Sequence, residues 1–194
     1  MAARRVGIFG GVFNPIHLGH IALAKKAMSA LNLDKLYIVP CSDPSHKAVP
    51  AVNAMTRFRM AEIAFRDIAN VYVSPMEIER KGTSYTIDTL REVIAQEGGV
   101  RPIIIIGADN IREIKTWRSP GLIFKEADIV AFTRPGFDYR NSAEVECGKI
   151  VFIEMEPQPY SSTEIRSRLS GNQSIKAMVP EGVESYIREN NLYR

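Results

Sequence analysis

The chain has 194 residues, 45% of them apolar and 24% charged, with a formal charge of +3 at pH 7. That length suits one sizeable domain and is short for two, and the composition is that of an ordinary globular protein, not a disordered or fibrous one. So small a positive charge, with no basic stripe, does not demand nucleic acid; a few clustered Lys and Arg for phosphate ligands account for it equally well.

In chain order the hydrophobic pattern alternates between strand and helix. Arg5–Phe9 reads as a strand ending at Gly10-Gly11, and Leu18–Leu31 carries apolar residues at helical spacing. Leu36–Val39 is a second strand, stopped by Pro40, and a polar loop holding Pro44 and Pro50 follows. Ala54–Phe65 reads as a helix and Val71–Val73 as a strand. Thr86–Gln96 is a helix closed by Gly98-Gly99. The four isoleucines of the strand Arg101–Ile106 predict burial on both faces, as in a central parallel strand. Ser119-Pro120 resembles a helix N-cap followed by proline at the first helical position. Ile129–Phe132 and Lys149–Ile153 are strands, and Ser162–Leu169 and Glu181–Asn190 are closing helices. This order predicts an α/β fold: one doubly wound, Rossmann-like domain over residues 1–194, a parallel sheet with helices on both faces. Ligands then sit outside the carboxyl ends of the strands.

Cys41 and Cys147 lie far apart and form no CxxC, which argues against a metal knuckle, a redox pair or a disulfide scaffold. The longest apolar run, Ile103–Ile106, is far too short for a bilayer. Strand-like sequence begins near Arg4, with no visible signal peptide. The expectation is a soluble, cytoplasmic protein with no membrane or nucleic-acid partner and no dedicated metal site.

Two segments carry chemistry. The first, Gly10-Gly11-Val12-Phe13-Asn14-Pro15-Ile16-His17-Leu18-Gly19-His20, joins the first strand to the first helix. Glycines after a strand allow a tight turn and close approach of a ligand, and the helix start offers free N–H groups and a positive dipole end to an anion. His17 and His20, three apart, fall on one side of that start, and Gly19 removes a side chain that would block a phosphate. The second, Ser161-Ser162-Thr163-Glu164-Ile165-Arg166, opens a late helix. Ser161 and Glu164 have capping-box spacing, so a well-capped helix explains the run by itself. Three hydroxyls and an Arg at a helix N-terminus also make a triphosphate cradle. No GxxxxGK[ST] or GxGxxG is present.

The first segment resembles the HxGH signature of the nucleotidyltransferase superfamily, with Asn14 where many relatives have Asp. The second is similar to the ISSTxIR motif of adenylyltransferases, with Tyr160 for the first Ile. Gly82–Leu90 contains a run similar to the SYTxDTL segment of bacterial nicotinate-nucleotide adenylyltransferases. Ile106–Asp109 with Trp117 resembles their GAD…W segment, and Pro44-Ser45-His46-Lys47 their PPHK loop. The resemblance spans essentially the whole chain.

It implies adenylyl transfer from ATP to nicotinate mononucleotide, with Mg²⁺ bound mainly through ATP phosphates. His17, His20 and Arg166 would be catalytic. Gly10, Gly11, Phe13, Gly19, Ser161, Ser162 and Thr163 would surround ATP. His46, Lys47, Tyr85, Thr86, Asp109, Trp117 and Arg134 would hold the acceptor, with Trp117 stacking on its pyridinium ring. Arg134 lies in an RPG turn that is equally well a structural feature. Nicotinamide mononucleotide or phosphopantetheine is the alternative acceptor, and a non-catalytic nucleotide- or RNA-binding module the alternative class. The sequence says nothing of oligomeric state.

Overall fold

The computed structural model describes residues 4–44, 50, 52–133 and 150–194. Its elements are β1 (Val6–Gly11), α1 (Leu18–Ala30), β2 (Lys35–Pro40), β3 (Asp43–Pro44), α2 (Ala54–Phe65), β4 (Val71–Val73), α3 (Met76–Arg80) and β5 (Thr83–Ser84). There follow α4 (Thr86–Gln96), β6 (Ile103–Gly107), a 3-10 helix (Ala108–Thr116), α5 (Pro120–Glu126), β7 (Asp128–Thr133), β8 (Ile150–Glu154), α6 (Ser162–Ser170) and α7 (Glu181–Glu189).

Six strands form one parallel sheet in the order β4-β2-β1-β6-β7-β8. The chain therefore winds outward from β1 to one edge, returns to β6 beside β1, and winds out to the other. That reversal leaves a crevice between the carboxyl ends of β1 and β6, where open α/β sheets take their ligands.

The alternation on each strand divides the core in two. Ile103 and Ile105 pack on one face with Ala24 and Ala27 of α1, Met60 and Phe65 of α2, Ile165 of α6 and Ile187 of α7. Ile104 and Ile106 pack on the other with Met76 of α3, Leu90 and Val93 of α4, Ile111 and Ile114 of the 3-10 helix and Ile123 of α5. The isoleucine run is thus buried on both faces as the sequence predicts, each side chain contributing about 1.5–3 kcal/mol.

Three differences from the sequence reading matter for the site. Gly10 and Gly11 do not make the turn: they remain in β1, opposite Val39 and Pro40, and the left-handed residue is Phe13, at φ 46°. The loops after β2 and β4 pair through β3 and β5, Asp43 with Thr83 and Pro44 with Ser84. Ser119 precedes α5 in a left-handed conformation and makes no side-chain cap, although Pro120 does occupy the first turn.

Candidate active site

The first motif wraps the end of β1. Four carbonyls of this segment are held by hydrogen bonds from other parts of the fold. Gly11 O accepts from Cys41 N–H at 2.9 Å and Val12 O from the Arg57 guanidinium at 2.6 Å. Asn14 O accepts from Arg166 Nη1 at 2.8 Å and Pro15 O from Ser162 Oγ at 2.9 Å. The amides of Val12, Phe13 and Ile16 make no hydrogen bond with the described residues. Four gripped carbonyls and a set of free amides make a concavity suited to anionic oxygens.

Gly10 and Gly11 shape its floor. A Cβ on Gly10 would meet nothing nearer than Val39 O at 3.9 Å, so the position is open to a ligand. One on Gly11 would strike the Phe13 ring at 2.8 Å. The Phe13 ring is itself buried, edge-on to Phe9 at 5.5 Å and to His20 at 5.0 Å. What Phe13 can offer a ligand is its backbone, while its ring fixes His20.

His17 caps α1 from outside and His20 stands in its first turn. Their rings stack at 3.7 Å, 27° from parallel. The His17 amide donates to His20 Nδ1 at 3.2 Å, so a neutral His20 carries its proton on Nε2. His17 is buried with no partner for Nδ1, an orphaned polar atom of the kind that a bound ligand resolves. Burial lowers the His17 pKa to about 4. Burial, and then the neighbouring His17, holds His20 well below the usual imidazole value. Both rings are therefore neutral at pH 7 in the free protein. Gly19 cannot gain a side chain freely, because a Cβ there would sit 3.1 Å from the His17 ring.

The second motif arrives at the same loop. Ser161 caps α6 by accepting from Glu164 N–H at 3.1 Å, but Glu164 turns to Arg168 at 3.0 Å, so the reciprocal half of the capping box is absent. Ser162 and Arg166 reach the first motif as described, and Arg166 Nη2 also donates to Thr163 Oγ1 at 3.2 Å. Segments 152 positions apart in the chain meet through one guanidinium.

Beside them lies a pocket of about 180 Å³, lined among others by Gly10, Gly11, Ser84, Thr86, Asn110 and Trp117. Tyr85 precedes α4 with no side-chain cap, and the amides of Thr86 and Ile87 make no hydrogen bond with the described residues. Tyr85 stacks under the Arg118 guanidinium at 4.8 Å. Trp117, half-buried, ends the 3-10 helix, packs against the second core cluster and lines the pocket. Asp109 lies in that 3-10 helix immediately after β6. His46, Lys47 and Arg134 lie outside the described residues.

Residues 8–168 match the cytidylyltransferase-like family. A protein of Moorella thermoacetica named probable nicotinate-nucleotide adenylyltransferase is 41% identical over 98% of this chain and 92% of its own length. One of the same name from Thermus thermophilus is 38% identical over 98% and 100%. The chain belongs to the cytidylyltransferase-like family, among its nicotinate-nucleotide adenylyltransferases. In fold it is similar to Plasmodium falciparum nicotinic acid mononucleotide adenylyltransferase, solved in complex with NaAD. There the TM-score is 0.83, at 20% identity over 98% of this chain and 97% of that one. Among the described residues no helix is long and apolar enough to cross a membrane.

The family's motifs lead to the histidines, to the α6 cradle and to Trp117, but not to everything that builds this site. Ser84 and Thr89, which line the pocket, lie inside the run similar to SYTxDTL, without a site role expected of them. Glu77, buried and joined to Thr89 Oγ1 at 2.6 Å, belongs to the short α3 that the pattern does not reveal. Tyr193 donates to Asn14 Oδ1 at 2.8 Å, and nothing about a penultimate tyrosine announces that contact. Arg57 had a legible signal: it shares a helical stripe with the apolar Met60, Ala61 and Phe65, where a solvated charge does not belong.

Proposed function

We propose that the chain transfers the adenylyl group of ATP to nicotinate mononucleotide, releasing pyrophosphate. The observation that carries this reading is the convergence of three parts on one crevice: the stacked histidines with the free amides of the first loop, the Arg166 end of α6, and a pocket with Trp117 on one wall and the uncapped start of α4 on another.

The acceptor phosphate oxygen attacks the α-phosphorus, a new P–O bond forms, and the bond to the β-phosphate oxygen breaks. A phosphate monoester has a second pKa near ~6 and is already largely ionised at neutral pH, so no side chain is needed as base. His20, with its proton on Nε2, donates toward the oxygens where charge develops, and His17 lies behind it. Arg166 and the loop amides offset charge on the leaving pyrophosphate. Positioning and electrostatics carry most of such a transfer.

We also infer that ATP enters as its Mg²⁺ complex. Among the described residues no group of three or more His, Cys, Asp and Glu could hold a metal ion. The ion would be held mainly by phosphate oxygens and water, neutralising phosphate charge. Trp117 would stack on the pyridinium, and the amides of Thr86 and Ile87 would receive its carboxylate. The roles of His46, Lys47, Asp109 and Arg134 toward the acceptor are proposed on their motifs alone. We take residues 1–194 as one nucleotidyltransferase domain working in the cytoplasm, where ATP is abundant and the free Cys41 stays reduced.

The test is to offer nicotinate mononucleotide and nicotinamide mononucleotide together with ATP in one vessel and quantify the two dinucleotide products, with pyrophosphate release as the measure of total transfer. A carboxamide presents an NH₂ where the α4 amides also donate, leaving groups unpaired at about 1–3 kcal/mol each. The acid should win in kcat/KM by at least ~10-fold. Equal use of the two, or preference for the amide, sinks the acceptor assignment. No release with any acceptor returns the chain to a binding module.

A further inference from the structure

Arg57 is 1% exposed and makes no ion pair among the described residues. Its guanidinium spends its bonds on three neutral carbonyls: Nε on Val52 O at 3.2 Å, Nη1 on Val12 O at 2.6 Å and Nη2 on Ser42 O at 3.0 Å. A buried cation whose hydrogen-bond partners are all neutral carbonyls is costly to desolvate, and without it those carbonyls would be left unpaired. Its three partners lie on three separate segments, which points to a role beyond stability.

The three carbonyls supply one. Val12 belongs to the loop that presents the free amides. Ser42 follows β2, and its own N–H donates to Ser84 Oγ at 3.1 Å, on the wall of the Trp117 pocket. The β3–β5 pairing, Asp43 with Thr83 and Pro44 with Ser84, ties the segment after Ser42 to the same wall. A continuous path of bonds thus runs from the loop for the ATP phosphates, through one rigid planar fork, to the wall for the acceptor. Holding the Val12 carbonyl also fixes the N–H of the same peptide, that of Phe13, on the opposite side of the peptide plane.

We propose that Arg57 is a positioning residue that sets the distance and angle between the two substrates without touching either. This rests on the two-substrate transfer proposed above. A lysine keeps the charge but presents one ammonium, which cannot hold three divergent carbonyls as a fork does. Misplacement by about 1 Å can cost on the order of 10²-fold in rate.

The test is Arg57→Lys, with Arg57→Gln as a second variant, each confirmed folded by circular dichroism. Dissociation constants for ATP and for nicotinate mononucleotide are measured singly by calorimetry and compared with single-turnover rates at saturation of both. The expected result is a rate at least ~10-fold lower with both constants within about threefold of the unaltered chain. A role in stability alone would lower the melting temperature and leave the saturated rate intact. An intact rate in either folded variant, or weakened binding of one substrate that accounts for the whole loss, overturns the proposal. If the unaltered chain transfers no adenylyl group, the underlying function has failed instead.

Discussion

The two stacked histidines define the chemistry at the scale of single residues. His20→Ala removes the donor to developing charge and should lower kcat by roughly 10²–10³ while unfolding stays cooperative; a near-normal kcat in the folded variant would take the motif out of the mechanism. His17 makes a separate statement about stability. Its folded pKa of about 4 lies below the ordinary 6.5, so in acid the unfolded chain takes up a proton that the folded one refuses. The contribution is complete above about pH 6.5 and falls away as the pH drops to about 4, amounting to some ~3 kcal/mol. Melting curves of the free protein across that window should show the loss, and His17→Asn, which does not titrate, should flatten it. An unchanged slope in the variant would assign the acid lability elsewhere. Spacing alone places His17 and His20 together, since i and i+3 share a helix face. It does not reveal that they stack, because that depends on the Phe13 ring held behind His20 by a left-handed backbone no pattern encodes.

Among the elements, α4 matters most for acceptor choice. Thr86 is its first residue, a position that proline fits, and Tyr85 before it is already extended, at φ −121° and ψ 132°. Thr86→Pro therefore deletes one amide donor, together with the Thr86 hydroxyl on the pocket wall. The preference for nicotinate over nicotinamide mononucleotide should fall by about tenfold, as for one lost hydrogen bond to a charged group, with the melting temperature near that of the unaltered chain. Retained preference would move the carboxylate away from the helix start. The long elements were legible from periodicity: α1, α2, α4, α6, α7 and the strands of the sheet fall within a residue or two of their expected places. Those that were not, α3, β3, β5 and the 3-10 helix, are too short or too irregular for a period to appear. Three of those four supply the pocket wall, through Glu77, Ser84, Asn110 and Glu113.

At the scale of the whole molecule, the fold brings the two ends of the chain to one place. Tyr193 hydrogen-bonds Asn14 across 179 positions, and Leu18 N–H donates to Met178 O at 3.0 Å. Tyr193→Phe should cost about 1 kcal/mol in urea unfolding, and removing residues 193–194 more, because the apolar contacts of that ring with the first core cluster go too. Equal stability of the unaltered and shortened chains would show that the tail merely rests there. The parallel sheet and its doubly wound order follow from the alternation of strand and helix, because a crossover helix demands a parallel return. The tail's closure does not follow from it: a contact between the first loop and the penultimate residue is set by tertiary packing, which local pattern does not report.

The paired imidazoles, both kept uncharged by burial and His20 by its neighbour as well, have a consequence for how ATP is taken up. A triphosphate entering beside them brings several negative charges into the same desolvated space, and its field stabilises the imidazolium form that the empty site disfavours. Binding then draws hydrogen ions from the medium, and the heat observed must include the heat with which the buffer releases them. Titrations of ATP at pH 6.5 in phosphate and in Tris, whose ionisation enthalpies differ greatly, should give unequal apparent enthalpies. The difference should shrink in His17→Asn. Identical heats in both buffers would mean that the triphosphate is met by two neutral rings, and that the positive charge facing it comes from Arg166 and the loop dipoles alone.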